Sequence, residues 1–527
     1  MKKLSIILGV VFVMTFNACS ESDFADNYAN PSKISDATVE KLYSGFLYAN
    51  QGYVLPDYWN YFVVLRTTIT RYTQAVGWIN TAAQYVPGEA GIGGRWGSYY
   101  GFLAHYREME KVYNALPTEE QAKLRIFMLT ATIYLYDHTQ KVVDLHGDIP
   151  FSEAGKLSQN GGDYQASLPA YDTAQEIYTT MLDGLQGFAD ELNSISLDPA
   201  VAASLETQDF VNNGDLVLWK KYCNSLRLRM LTRVSASADF SARSQSEIAS
   251  ILGNAVQYPL VDDNSENIQI DVVDIDSPIH SKSFQGGLED WDGNLAGKAM
   301  IDHMNTNADP RLRAMFEEGE DAVPGVFIGI DPLMNEADQT ALFNTGTVSI
   351  YNRSSLSRNQ YFPGLLITAA EVSFLKAEAY AATNDAMAKA SYEDGVTQST
   401  EFYYGVRDLS ADEISGPLTP LVPAEITAYL GSADVNWDNA ATTADKLELI
   451  ATQKWISFSV LQMPESWAEM RRLDAPSLSF QVDNSNPQTL PPTRWIYPSN
   501  ESVYNTDNYN AVSGSDNLTT KIFWDVN

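Results

Sequence analysis

The chain has 527 residues, and 67 Asp and Glu against 34 Lys and Arg give it a formal net charge of −33. That acidity argues against nucleic acid and against direct adhesion to anionic lipid, because the long-range field repels both; its plainest use is a solvated surface that resists aggregation. At 45% hydrophobic and 11% aromatic residues the chain is ordinary globular material, long enough to bury a large core in one big domain or two or three smaller ones.

At the N-terminus, Met1-Lys2-Lys3 is a short basic stretch, and Leu4 to Phe16 is an apolar run broken only by Ser5, Gly9 and Thr15. A bilayer span needs about 20 apolar residues, so this run fits a secretory signal rather than a membrane helix. Ala18 supplies the small residue before a cut, which makes residues 1–18 a signal peptide and Cys19 the first mature residue. A signal ending on cysteine is the bacterial lipoprotein arrangement, with the thiol acylated; the alternative is a plain signal peptide and an incidental cysteine. Acyl chains at about 0.8 kcal/mol per buried methylene would moor the protein permanently, anchored to the membrane rather than spanning it. Residues 19–35 then form a polar tether containing Pro31, and residues 36–527 the folded domain. The acidic Ser20-Glu21-Ser22-Asp23 resembles the signal that displays Bacteroidetes lipoproteins on the outer face of the outer membrane.

After the tether, helical periodicity dominates. Val39, Leu42, Tyr43, Phe46 and Leu47 mark one stripe, and Leu124, Phe127, Met128, Ala131, Leu135, His138 and Val142 a longer one. Further stripes are Ala174, Ile177, Met181, Leu185, Phe188 and Trp219, Cys223, Leu226, Met230, Val234. The pattern returns at Ile367, Ala370, Phe374, Ala377 and at Leu447, Ala451, Trp455, Phe458. Long irregular stretches rich in Gly, Asn, Asp, Pro and aromatics separate them: 74–101, 155–170, 255–298, 321–363, 403–442 and 474–527. Strand alternation is confined to "GVFIGI" and "TVSIYN". The reading is a mainly α protein with large loops, little β and no clean repeat period. With Cys19 acylated, Cys223 has no cysteine to pair with, and its place on an apolar stripe makes it a small buried hydrophobe.

No catalytic constellation assembles. The five histidines never fall at a metal-ligand spacing, and no GxSxG or Walker sequence occurs. "GEAGIGGRWG" (88–97) lacks the GxGxxG pattern and reads as a loop. A pair of carboxylates for glycoside hydrolysis stays open, because it is recognised by separation in space. Asp271, Asp274 and Asp276 in "DVVDIDSP" could serve a calcium ion or be a solvated acidic loop; no other cofactor is expected.

Several stretches together resemble one family. "HGDIPFSEA" (146–154) is similar to the glycine-aspartate-hydrophobe-proline turn of SusD-like (SusD/RagB) outer-membrane lipoproteins. "DFVNNGDLVLWKKYCNSLRLRMLTRV" (209–234) is similar to their loop-plus-helix signature, and "ADPRLRAMF" (308–316) to their Asp-Pro-Arg helix entry. "PGLLITAAEVSFLKAEAY" (363–380) resembles their strongest helix, with the pairs Ala370-Glu371 and Ala377-Glu378. "ELIATQKWISF", "ESWAEMRRLDAP" and the tail "TRWIYPSNESVYNTDNYNAVSG…FWDVN" complete the series, in order from about 36 to 527. Each also has a plain structural use: small residues let helices approach, Trp219 and Trp455 lie on apolar stripes, and Arg227, Arg229, Arg471 and Arg472 would pair with acids or cap carbonyls.

The resemblance implies tetratricopeptide-like helix pairs packed against a loop-rich half, and a non-catalytic lipoprotein facing the cell exterior. It implies capture of an oligosaccharide for a SusC-like TonB-dependent transporter. The open alternatives are peptide cargo, a surface glycosidase or protease, and a lid for the transporter that binds no small ligand. Sugar rings need flat apolar faces beside planar polar groups. The stretch 73–100 offers Trp78, Asn80, Gln84, Tyr85, Arg95 and Trp96; 284–294 offers Trp291 amid acids; 349–362 offers Tyr351, Arg353 and Tyr361. For each aromatic the competing reading is a loop anchor packed on the core.

Overall fold

The computed structural model describes residues 37–527, so the expected signal peptide, Cys19 and the expected 19–35 tether lie outside the described residues. The described chain is 55% helix and 3% strand, so helix packing rather than sheet pairing builds the core. Its main packed helices are α1 (Val39–Ala49), α2 (Glu89–Asn114), α3 (Thr118–His146), α4 (Ala174–Ser194), α5 (Leu216–Val234), α6 (Ala369–Tyr380), α7 (Asp385–Leu409), α8 (Thr443–Phe458) and α9 (Met463–Leu473), with a further helix at Ser241–Gly253 packed against α5. Their starts are written locally. The Thr173 side chain accepts from Glu176 N while Glu176 reaches back to Thr173 N, and Thr442 and Asp445 repeat the device at α8. Asp215 caps α5 by accepting from Val217 and Leu218 N.

Successive long helices pack as pairs: α2 with α3, α4 with α5, α6 with α7, α8 with α9. The first core lies among α1 to α5, where Phe46 of α1 stacks on Phe102 of α2 at 4.4 Å between centroids. The second is assembled largely from loops and short helices: Tyr61, Ile69, Tyr72, Phe284, Met300, Phe316, Tyr351 and Phe362, closed by Trp455, Trp467 and Trp495. This is the expected division into helix pairs and a loop-rich half. Cys223 is fully buried as its stripe requires, with Sγ 3.3 Å from the Leu185 carbonyl.

Three local expectations need correction. The "GEAGIGGRWG" stretch is not a loop but the first turns of α2; the missing side chains let α2 press against residues 59–65, where a Cβ on Gly91 would sit 3.0 Å from the Val63 carbonyl oxygen. "GVFIGI" forms no strand, only a bridge from Ile330 to Gly297, and "TVSIYN" contributes just β3 (Ile350–Tyr351), antiparallel to β2 (Phe316–Glu317). Ile367 belongs not to a helix but to β4 (Gly364–Ile367), paired with β1 (Ile268–Ile270). A four-residue apolar strand running into a helix is not separable from that helix by periodicity alone.

The residues that carry the family resemblance hold the scaffold. Asp209 accepts from Val211, Asn212 and Gly214 N and from Trp219 Nε1 at 2.7 Å, so the loop before α5 folds around one carboxylate. Arg311 lies fully buried on Asp309 and also donates to Gln453 and Tyr429. Arg229 bridges Glu371 of α6 (2.8 Å) and Asp137 of α3 (3.0 Å), and Arg233 meets Glu465 of α9 at 2.6 Å. Arg472 joins Glu378 and Glu469 at 2.6 Å each, and Lys454 completes that group. Burial pushes Glu469 up, but Arg472 and Lys454 outweigh it and hold the carboxyl well below its usual range. Arg227 pairs with Glu247, and Arg471 caps the carbonyls of Thr493 and Asp144, as expected of these arginines.

Candidate functional site

The densest exposed aromatic surface grows from "DYWNYFVVLR", residues 57–66. Trp59–Leu65 winds as a π-turn, with Arg66 N bonding Tyr61 O five residues back at 2.9 Å. The wider turn sends Tyr61, Val64 and Leu65 into the second core and leaves Tyr58 and Trp59 38% and 47% exposed. Tyr58 stacks on Phe62 at 5.0 Å, and the edge of Phe62 meets Trp291 at 5.7 Å. The Arg66 guanidinium stands 4.9 Å from the Phe62 centroid and 5.5 Å from that of Trp291, and its Nη2 donates to the Trp291 carbonyl at 2.7 Å.

Trp291 is 80% exposed. It and Asp292 are consecutive non-glycine residues at φ +56° and +57°, a left-handed conformation costing about 1–2 kcal/mol per residue. Gly293 follows with no room for a side chain, since a Cβ there would lie 2.7 Å from the Leu288 carbonyl oxygen. The surroundings thus hold a large ring outward at a conformational cost. Beside it opens a cleft of ≈ 290 Å³ bordered by Arg66, Arg71, Trp78, Thr81, Trp291 and Asp292. A second cleft of ≈ 450 Å³, with Asn294, Glu320 and Arg353 in its wall, shares Asp292 and Leu295 with the first. Burial lowers Arg66 from its ordinary value, and Asp292 and Asp290 offset part of that. The ensemble offers flat apolar faces edged by guanidinium, carboxylate and amide groups, which suits a ring with one C–H face and several hydroxyls.

Of the residues expected at a ligand from sequence, Trp78 and Trp291 meet at this cleft, though Trp78 is only 7% exposed and donates its Nε1–H to Gln84. The others sit elsewhere. Asn80 is buried, its amide donating to the Pro332 and Met334 carbonyls. Tyr85 is buried and donates to Gln481 O; Tyr351 is buried between Ala75 O and the Ser459 hydroxyl. Arg95 and Trp96 face inward on α2, Trp96 bonded to Glu501 and packed on His146. These five anchor loops and core, and none presents an open face. Arg353 is tied to Glu317 at 2.9 Å. The residues missed from sequence are Tyr58, Trp59, Phe62 and Arg66. The available signal was four aromatics within five positions, 58 to 62, more than one buried helix face absorbs.

A separate groove of ≈ 280 Å³ between α2, α3 and α4 contains Arg107, Glu110, Asp172 and Glu176, all engaged locally: Arg107 with Glu110, Asp172 with the 151–152 backbone, Glu176 with Thr173. The Thr173 hydrogen bonds hold Glu176 below its usual range, the opposite of what a carboxylic acid donor needs. In the acidic loop, Asp276 pairs with Lys282 and Asp271 accepts from Gln269. Among the described residues no three His, Cys, Asp or Glu side chains group as a metal site.

A family model described as starch-binding, associating with outer membrane (SusD-like) matches residues 58–498. Among solved structures, a SusD homologue from Bacteroides uniformis is 25% identical with a TM-score of 0.66, over 93% of this chain and 100% of its own. A chitin-binding SusD homologue from Flavobacterium johnsoniae is 21% identical with a TM-score of 0.70, over 92% and 99%. A chitin-binding protein is 23% identical with a TM-score of 0.72, over 92% and 100%. No curated protein matches the sequence.

Proposed function

Since the chain belongs to the SusD-like family of starch-binding proteins that associate with the outer membrane, we propose that it captures oligosaccharides on the platform of Tyr58, Trp59, Phe62 and Trp291. Captured sugar passes, without chemical change, to a SusC-like TonB-dependent transporter, and the protein is held at the cell exterior by lipid on Cys19. The observation that carries the binding site is Trp291, a large ring kept outward in left-handed backbone beside a polar-edged cleft. The chitin-binding relatives support a glycan over other cargo.

Calorimetric titration with starch- and chitin-derived oligosaccharides, and with mixed peptides as the competing class, tests the assignment. Covering one indole face is worth about 1.5–3 kcal/mol, so Trp291→Ala is expected to weaken saccharide binding about ten- to a hundredfold while leaving the unfolding midpoint in place. Saccharide affinity unaffected by that change would move the site elsewhere. Binding of peptides alone would replace the cargo, and shortened oligosaccharides after incubation would replace capture with hydrolysis. Cys19→Ala is expected to free the protein from membranes, and the lipidated form to co-purify with a barrel transporter.

A further inference from the structure

Arg66 and Arg71 both border the cleft beside Trp291, in a chain whose net charge is −33. Arg66 spends Nη2 on the Trp291 carbonyl and lies over two rings, and Asp292 and Asp290 offset its charge in part. Arg71 is placed differently. Its Nη1 donates to the Gln84 carbonyl at 3.2 Å, while among the described residues Nε and Nη2 have no protein partner. Neither of those nitrogens is sealed in the interior. The groups acting electrostatically on Arg71 are Arg66, Tyr72 and Tyr85, and none is a carboxylate. Burial pushes both tyrosine hydroxyls up, so near neutral pH they carry no charge. Burial lowers Arg71 from its ordinary value, and the like charge of Arg66 lowers it further. Other arginines also lack an acid, but Arg471 is spent on the carbonyls of Trp467, Thr493 and Asp144, and Arg494 lies in the core against the Trp495 carbonyl. Arg71 faces a cleft instead.

Two guanidinium groups on one cleft repel each other and have lost part of their water. An oxyanion in the cleft offsets both costs through charge-assisted hydrogen bonds, and the planar fork of an arginine fits such a group. Asp292 borders the same cleft and acts on Arg66, which leaves Arg71 as the uncompensated cation. The acidity of the whole chain does not forbid an anion here. At physiological salt, exposed charges more than about 8 Å away are largely screened, so the groups at the cleft decide. We infer that the captured saccharide is an acidic one, carrying a carboxylate or a sulfate, with its ring on Trp291 and its oxyanion on Arg71. Arg66 adds positive field and ties the Trp291 backbone, while Arg71 makes the contact. This rests on saccharide capture at the Trp291 platform and adds the chemical class of the cargo.

An array of defined oligosaccharides, with uronate, sulfated and neutral members, is the first probe. The glycans retained most strongly are expected to be acidic, and neutral glycans retained above all acidic ones overturn the inference. The best acidic binder is then titrated by calorimetry beside its uncharged counterpart, carboxyl-reduced for a uronate and desulfated for a sulfate. Which of the two treatments weakens binding tells a carboxylate from a sulfate. The loss is expected to be about ten- to a hundredfold, the value of one or two hydrogen bonds between charged groups. Equal affinity for the charged and uncharged forms overturns the inference. Arg71→Gln is expected to weaken the charged ligand by the same factor and leave the uncharged one unchanged. Equal weakening of both would reduce Arg71 to an anchor of the Gln84 loop and also overturn it. Should that variant not fold, the paired titration of the unaltered protein decides alone. Retention of no glycan at all ends the capture reading itself, whereas neutral glycans held through Trp291 end only the acidic cargo.

Discussion

Residue type says little about role in this chain; what surrounds each side chain decides. Trp96 and Trp291 carry the same indole, yet one is bonded to Glu501 in the interior and the other stands open over Phe62. The buried ions follow the same logic. Removing Arg229 would strand Glu371, while Asp137 keeps Lys141 at 2.9 Å, and Arg229→Met is expected to lower unfolding free energy by about 3–5 kcal/mol in urea titrations. Adding Glu371→Leu to that variant is expected to recover part of the loss, since the uncompensated carboxylate disappears with its partner. Cys223 is the matching case for reactivity. Burial pushes its thiol up to about 12, so thiol reagents are expected to leave the native protein unlabelled at pH 8 and to label it once denaturant is added. Fast labelling of native protein would show that the α4–α5 pair opens.

At the level of elements, glycine placement separates close packing from tolerance. Gly91 and Gly93 both lie in the first turns of α2. A Cβ on Gly91 meets the Val63 carbonyl oxygen at 3.0 Å and Val64 Cα at 3.2 Å, whereas one on Gly93 meets nothing within 4 Å. Gly93→Ala is therefore expected to stabilise by about 0.8–1 kcal/mol through helix propensity alone. Gly91→Ala should forfeit that gain and disturb the π-turn, seen as weaker saccharide binding at Trp291. The α6–α7 pair is tighter still: a Cβ on Gly395 would lie 2.6 Å from the Phe374 ring, and Gly395→Ala is expected to cost about 1–3 kcal/mol by overpacking. Equal effects at Gly93 and Gly395 in thermal melts would contradict this account of the helix pairs.

Across the whole molecule, buried histidines set the acid side of stability. His138 has both ring nitrogens buried without partners, His146 is fully buried beside the Ile496 backbone, and desolvation holds each well below 6.5. Lys141 near His138, and Arg494 near His146, push the same way. The folded form therefore stays neutral where the unfolded chain takes up protons. The stability this confers is complete above pH 6.5 and is lost as pH falls, at up to about 1.4 kcal/mol per pH unit for each histidine. Urea midpoints are expected to fall between pH 7 and 5.5, and His146→Phe to flatten that slope by one histidine's share. A slope unchanged by the substitution would assign the acid response to the carboxylates.

The sequence alone determined most of the long helices, the burial of Cys223 and the pairing of the arginines with acids or carbonyls. The helices and the buried thiol follow from 3.6-residue spacing; the start of α2 and the whole of α7 were not legible from it. Family membership was also legible, because "DFVNNGD", "ADPRLR" and the Ala-Glu pairs are scaffold residues whose order along the chain survives without any knowledge of shape. The exposed aromatic surface proposed as the platform was only half legible. Trp78 and Trp291 share one cleft as their composition suggested, but Asn80, Tyr85, Arg95, Trp96 and Tyr351 point inward, and Tyr58, Trp59, Phe62 and Arg66 take their place. Only the tertiary structure decided this, because a ring is core or platform according to what packs on its other face. For these rings that partner is remote in sequence: Glu501 for Trp96, Ala75 for Tyr351, Trp291 for Phe62.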